Sequence, residues 1–143
     1  MAYSNYDATT TNKSKRSNRI YSDLNLSFTK NPATKDVAKI FDVQAIKRSV
    51  KNIILTNKYE RPFNSDFGCN LRGFLFEHIT DPILVVMKDR ISSAIEDYEP
   101  RVSVEDIVIS PDEANNGVNI MVSFLVNGAE QPITVSTFLQ RVR

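Results

Sequence analysis

Four side chains of this sequence are candidates for chemistry: Cys69, Glu77, His78 and Glu99. Cys69 is the only cysteine and His78 the only histidine. Any Ser-His-Asp or Cys-His arrangement therefore hangs on one imidazole, and a Cys-rich or multi-His metal site lacks ligands. A nucleophilic cysteine needs a thiolate held by a base and oriented by a third group. Cys69 follows Phe67-Gly68 and precedes an apolar stretch, so it reads as a small buried hydrophobe. His78, beside Glu77 at the end of that stretch, reads as a helix-end or surface group. Glu77 and Glu99 could be paired for a muramidase-type hydrolysis, which needs two carboxylates across a cleft, one with a raised pKa. The chain has 17 acids, and nothing singles out this pair. The four glycines, at 68, 73, 117 and 128, are not spaced to cradle a phosphate. No cofactor or metal is expected, and no catalysis.

Two other clusters stand out. One is Arg61-Pro62-Phe63 with Asp66-Phe67-Gly68-Cys69; the other is Glu99-Pro100-Arg101. In the second, proline fixes its own φ and pushes its predecessor toward extended backbone. Residues two apart in an extended chain project to the same side, so Glu99 and Arg101 stand side by side. Such a pair suits bidentate contact with another chain or with the protein's own loops. The plainer reading is a helix stop with two solvated charges. The expectation taken forward is that Pro100 aims both side chains outward.

The elements that position these residues follow from periodicity. Leu24, Leu26 and Phe28 alternate over 24–30, Asn31-Pro32 makes a turn, and 36–41 is a second extended run, together a β-hairpin. Asp42 is a candidate N-cap, with Phe41 and Ile46 at the positions of a hydrophobic staple. Val43, Ile46, Val50, Ile53 and Ile54 then recur at helical spacing, which predicts a helix over 43–56 with Lys47, Arg48 and Lys51 on its other side. Turn chemistry over 57–69 leads to a short helix over 70–77. Asp81-Pro82 starts a long helix carrying Leu84, Met87, Ile91, Ala94, Ile95 and Tyr98, which ends near Glu99. The period then becomes two. Strands are predicted over 102–109, with a bulge at Glu105-Asp106 where the alternation slips, over 118–126, and over 132–139. The fold class expected is α+β: a small antiparallel sheet covered on one face by two main helices and a short third helix, with a flexible N-terminal arm.

Composition bounds the rest. The chain has 143 residues, 41% hydrophobic and 24% charged, with a formal net charge of +1. That is one domain's worth of chain with no global pull toward nucleic acid or anionic membrane. No apolar run approaches the ~20 residues that cross a bilayer, and residues 1–20 contain no signal-peptide core. A soluble protein of a reducing compartment is expected. Charge is uneven: residues 1–21 hold Lys13, Lys15, Arg16 and Arg19 against Asp7 and are poor in apolar side chains. They are read as a flexible basic arm, and 22–143 as a single domain. The arm leaves a weak nucleic-acid reading open, although no strand interleaves aromatic and basic residues as single-strand binding requires.

The ordered set of a helix with a basic face over 45–56, ERPFNSDFGCNL, LFE and a long helix running into YEPR resembles the sheath-initiator family. This is the baseplate wedge protein of contractile-tailed phages, shared with type VI secretion baseplates and related contractile injection machines. The resemblance runs over about residues 36–139. It implies a small α+β structural protein of the inner baseplate that binds the helical core bundle of the wedge and templates the first ring of tail sheath. Tail tube or hub proteins are further candidate partners; membrane is not, and nucleic acid stays the weaker option of the basic arm. The implied location is the virion tail baseplate, with assembly in the host cytoplasm. The family's Glu-Pro-Arg motif falls on Glu99, Pro100 and Arg101 and is implicated in baseplate contacts; Arg61, in the other matching motif, is taken with it. Some members carry a lysozyme label, so a muramidase-type hydrolase of a phage tail stays as the alternative.

The strands give the templating role a physical form. A sheet of two or three strands has exposed edges, and an exposed edge pairs with an extended segment offered to it. The expected acceptor is the last edge, with Val135 at its middle as a partner-interface residue and Val135→Pro as the disrupting change. Which strand lies at the edge is open at this point.

Overall fold

The computed structural model describes residues 21–141. The expected arm over 1–21 lies outside the described residues except for Tyr21. The chain divides into two compact units after Asp42.

In the first unit, β1 (Ser22–Leu24) pairs antiparallel with β2 (Lys39–Phe41), Ser22 opposite Phe41. The strands are shorter than the alternation over 24–30 predicts, for a local reason. Asn25 and Asn31 accept from the Ser27 and Ala33 backbone N–H groups at 3.0 and 2.9 Å, two Asx turns that bend the chain away from the ladder. Phe28 stands at φ 51°, and beyond it the two runs meet again at the bridge between Lys30 and Val37, flanked by the bonds from Ala38 N to Thr29 O and from Asn31 N to Asp36 O. Asp42 closes the unit: its Oδ1 accepts from Tyr21 N at 3.1 Å, and its N–H donates to Tyr21 O. Its φ of 48° is the non-helical backbone of a flanking residue.

The second unit opens with α1 (Asp42–Leu55), which buries Ala45, Ile46, Val50, Ile53 and Ile54. Val43, predicted in that stripe, is exposed, and Ala45 takes its place. Where the sequence predicts a helix over 70–77, the chain makes a single 3-10 helix, Arg72–Phe76. Gly73 sits in its middle, Leu75 is its one buried residue, and Glu77 is already extended. That stretch buries too little to repay nucleation of an α-helix. The long helix α2 (Asp81–Tyr98) starts one residue earlier than expected, with Thr80 as cap and Pro82 in the first turn. Its buried stripe is Met87, Ile91, Ala94 and Ile95.

Three antiparallel strands follow: β3 (Val102–Asp112), β4 (Gly117–Val126) and β5 (Ile133–Gln140), in the order β3-β4-β5. The expected bulge is present as a register shift between Val104 and Asp106. The long β3–β4 ladder is legible in the alternation, but β3 runs to Asp112, through Pro111, beyond the predicted end at 109. One face of the sheet is buried, with Ile107, Ile109, Val118, Ile120, Val122, Phe124, Val135 and Leu139. The other face shows Val108, Met121 and Phe138 roughly half exposed. The Phe138 ring lies over Gly117, where a Cβ would come within 2.4 Å of it.

Candidate functional site

The two edges of the sheet are not equivalent, and backbone parity shows why. Arg141 N donates to Asn116 O at 2.8 Å, and the β4–β5 register continues without a break from Gly117 opposite Gln140 to Phe124 opposite Ile133. Hydrogen-bonded pairs alternate in an antiparallel ladder. Ile133, Val135, Thr137 and Leu139 therefore pair with β4, while Thr134, Ser136, Phe138 and Gln140 turn their N–H and C=O groups to the free edge. These edge groups have no partner among the described residues. The strand from 133 to 140 contains no proline, glycine or bulge.

On β3 the same parity puts Asp106, Val108, Ser110 and Asp112 against β4 and turns Ile107, Ile109 and Pro111 outward. Pro111 therefore costs β3 no ladder bond and denies a donor to any incoming strand. The bulge at Glu105 adds a local twist. Proline and a bulge are two of the devices that blunt an edge. β5 is the clean edge.

This geometry corrects the choice of Val135 as the edge residue. β5 is an edge strand, but the Val135 N–H points inward to Val122 and its side chain is buried. Proline there would break the existing sheet. Ser136, exposed and outward by parity, is the position that presents a donor to solvent.

The Glu99-Pro100-Arg101 segment connects the end of α2 to the start of β3. The two side chains do stand side by side, but the expectation that both point outward fails. Glu99 is only 2% exposed, and Arg101 folds over it, its Nε donating to Oε1 and its Nη2 to Oε2 at 2.6 Å. Burial alone pushes the Glu99 carboxyl up; hydrogen bonds from Arg101 and from Ser49 of α1, with the guanidinium charge, outweigh it and hold the pKa below its ordinary value. The segment is thus an internal brace joining α1, α2 and β3. Glu99 N–H closes the helix on Ile95 O, and Asn127 Nδ2 donates to Pro100 O at 3.2 Å from the β4–β5 turn. Pro100 and part of Arg101 remain exposed.

Arg61 belongs to the same neighbourhood. Its guanidinium sits 3.7 Å from the centre of the Phe67 ring, and Phe67 packs on Tyr98 with ring centres 4.7 Å apart. The two sequence clusters therefore meet, through Phe67 and the residue just before Glu99. The loop is fixed to α1 at Gly68 and Cys69: Cys69 N donates to Thr56 O, and a Cβ on Gly68 would lie 2.3 Å from that oxygen. Gly68 also sits at φ 104°, so glycine is required there twice over. Phe63 stands at the loop tip, fully exposed, at φ 70°.

None of the catalytic candidates has the environment its chemistry requires. Cys69 is buried, and desolvation pushes its thiol up to about 12, far from a nucleophilic thiolate. Glu99 is held ionised by its arginine, the reverse of a general acid. Glu77 lines a hollow of about 340 Å³ with His78, Asp112, Glu113 and Arg141, and Glu99 is not among the residues of that hollow. Among the described residues no three His, Cys, Asp or Glu side chains are grouped to hold a metal ion, and no helix is long and apolar enough to cross a membrane. The residues that sequence reasoning missed are Ser49, which touches Glu99, and Ser136, which marks the outward register.

Known proteins share this fold. In the solved structures, a Geobacter sulfurreducens protein provisionally named a tail lysozyme superposes with a TM-score of 0.63 at 23% identity, over 70% of this chain and 91% of that one. A chain of the anti-feeding prophage baseplate gives 0.60 at 24% identity over 86% and 87%, and one from the postcontracted pyocin R2 baseplate gives 0.60 at 14% over 76% and 100%. At these identities the likeness is one of fold. In sequence, the baseplate wedge protein gp25 of Enterobacteria phage T4 is 36% identical over 94 residues, 66% of this chain and 70% of that protein. Residues 42–131, which hold α1, α2, β3, β4 and both motif clusters, match the family described as baseplate wedge protein gp25, and the chain belongs to that family.

Proposed function

We propose that this protein is a structural wedge component of a contractile-tail baseplate that starts the sheath by accepting a strand from the first sheath subunit on the free edge of β5. The observation that carries the proposal is the asymmetry of the sheet. β3 is blunted by Pro111 and a bulge, while β5 offers the outward N–H and C=O groups of Thr134, Ser136, Phe138 and Gln140 in a row. An added strand gains a ladder of main-chain bonds, and side-chain alternation sets its register. The helices cover the buried face of the sheet, and the solvent face stays open.

The second contact is to the core bundle of the wedge. The groups exposed toward it are Pro100, the part of Arg101 that remains accessible while it pairs with Glu99, and Arg61 with the exposed tip of its loop at Phe63. Glu99 serves this contact by holding Arg101 in place. Tail tube or hub proteins are further neighbours in the virion baseplate, which assembles in the host cytoplasm. The basic residues of 1–21 are offered to a partner in that assembly, and the second unit, which follows Asp42, is the part that docks in place of the single 22–143 domain expected from sequence. The hydrolase alternative is disfavoured by the paired, ionised Glu99.

The test is proline substitution in two registers. Ser136→Pro removes an outward donor from an edge strand and leaves the β4–β5 ladder intact. Purified Ser136→Pro protein should melt close to the wild type and enter baseplates, yet those baseplates should carry short or no sheath by electron microscopy. Full-length sheath on baseplates shown to contain Ser136→Pro overturns the strand-acceptor mechanism. Val135→Pro should instead lower the melting temperature of the isolated protein.

A further inference from the structure

Beside the β5 edge lies a hollow of about 280 Å³, lined by Thr134, Val135 and Ser136 on one side and by Gln44, Lys47, Arg48 and Lys51 of α1 on the other. The four helix residues follow a spacing of three and four and form one stripe. No carboxylate lines the hollow. From Val43 to Leu55 the helix contains no acid, and neither does β5 from Ile133 to Gln140. Lys47 and Lys51 form no ion pair among the described residues. Arg48 lines the same hollow and holds another contact.

We infer that the strand taken up by β5 is an acidic one, with carboxylates at alternate positions on the face turned toward α1. The inference rests on the strand-acceptor reading above and specifies its partner. A strand added at β5 continues the sheet, so every second side chain points to the helix side, where Lys47 and Lys51 stand. The spacing fits: residues four apart in a helix are about 6 Å apart along its axis, and alternate residues in a strand about 7 Å. The same charges argue against two other occupants. The chain's own residues 1–21 carry Lys13, Lys15, Arg16 and Arg19 against Asp7, and so share the sign of the hollow. A second copy paired edge to edge would bring its own Lys47 and Lys51 to the same place.

The test uses the full chain and three blocked eight-residue peptides of one alternating sequence, bearing Glu, Gln or Lys at every second position. Amide NMR shifts at Thr134, Ser136 and Phe138 report binding at the edge. At low ionic strength the Glu peptide should bind about tenfold more tightly than the Gln peptide, with the Lys peptide weakest. That preference should shrink with salt and reverse in Lys47→Glu/Lys51→Glu, whose amide spectrum confirms the fold. Equal binding of Glu and Gln peptides with β5 amides shifting would overturn the acidic partner and leave the acceptor intact. No shift at β5 with any peptide would count against the acceptor reading itself. β5 shifts that grow with protein concentration in the absence of peptide would put a second copy on the edge and end the inference.

Discussion

Removing either Arg101 or Glu99 should harm this protein more at neutral pH than in acid, and the two deficits should shrink in different pH windows. In the native chain Glu99 is buried, with a guanidinium on both oxygens and Ser49 as a further donor. Breaking one side of a buried ion pair costs ~3–5 kcal/mol, because the other charge is left unpaired. Arg101→Ala leaves the buried carboxylate with Ser49 and the backbone N–H of residue 101 but without a counter-charge, and falls at the low end of that range. Glu99→Ala leaves an arginine whose side chain is 27% exposed and able to recruit water, so its cost falls to about 2–3 kcal/mol. At ~4 °C per kcal/mol for a chain of this size, that is a loss of about 8–12 °C for Glu99→Ala and more for Arg101→Ala. The pH dependence separates the two. Glu99 has a lowered pKa in the folded chain, so its stabilisation is complete above the ordinary glutamate value of 4.5 and is lost as pH falls through the lowered one. The gap between wild type and Glu99→Gln should therefore narrow below pH 4.5. In Arg101→Ala, burial raises the Glu99 pKa above 4.5 and the folded state takes up a proton, so its deficit should shrink on mild acidification. The assay is thermal melting from pH 3 to 8 of both single variants and the double, which should lose less than the sum of the two. Unchanged melting of Glu99→Ala at pH 7 would refute the brace and return both charges to a purely outward role.

Three further outcomes follow from single side chains. Thr137 is buried with Oγ1 lacking a partner among the described residues, so Thr137→Val should be neutral or stabilising by about 1 kcal/mol in denaturant melts. Gly68→Ala should cost at least ~2 kcal/mol by the same measurement, from the positive φ and the collision with Thr56 O together. Cys69, buried and with its thiol pushed up to about 12, should resist iodoacetamide at pH 8 in the native chain and react at the ordinary rate once unfolded, as read by mass spectrometry.

The periodic segments were the legible ones. α2 repeats its apolar side chains over four turns, and β4 alternates without interruption from Val118 to Val126, so their type and extent followed from pattern alone. The segment over 70–77 has four large apolar residues and no sustained period, and there the pull toward a helix was misleading. Pro111 misled in the other direction. Proline reads as a strand terminator, but at an outward edge position it removes no existing bond, so the strand continues past it. The burial of Glu99 has a signal in the sequence. Ile91, Ile95 and Glu99 fall four apart on one stripe, so the acid lies on the buried face, and an arginine two residues later is in reach to neutralise it. No local pattern indicated Ser49, because its role depends on where α1 comes to rest against α2.

If β5 accepts a strand as proposed, the unequal edges also set a count and a direction. A sheet that can lengthen on one side only takes one strand per copy, and once that strand is in place the donor's own far edge becomes the new boundary. On the strand-acceptor reading, the blunted side, with Pro111 facing outward, would be a stop that keeps growth from starting backward. On the strand-acceptor reading, copies related by rotation would all present the same face of the same strand, so the handedness of everything built on them would be fixed before the first addition.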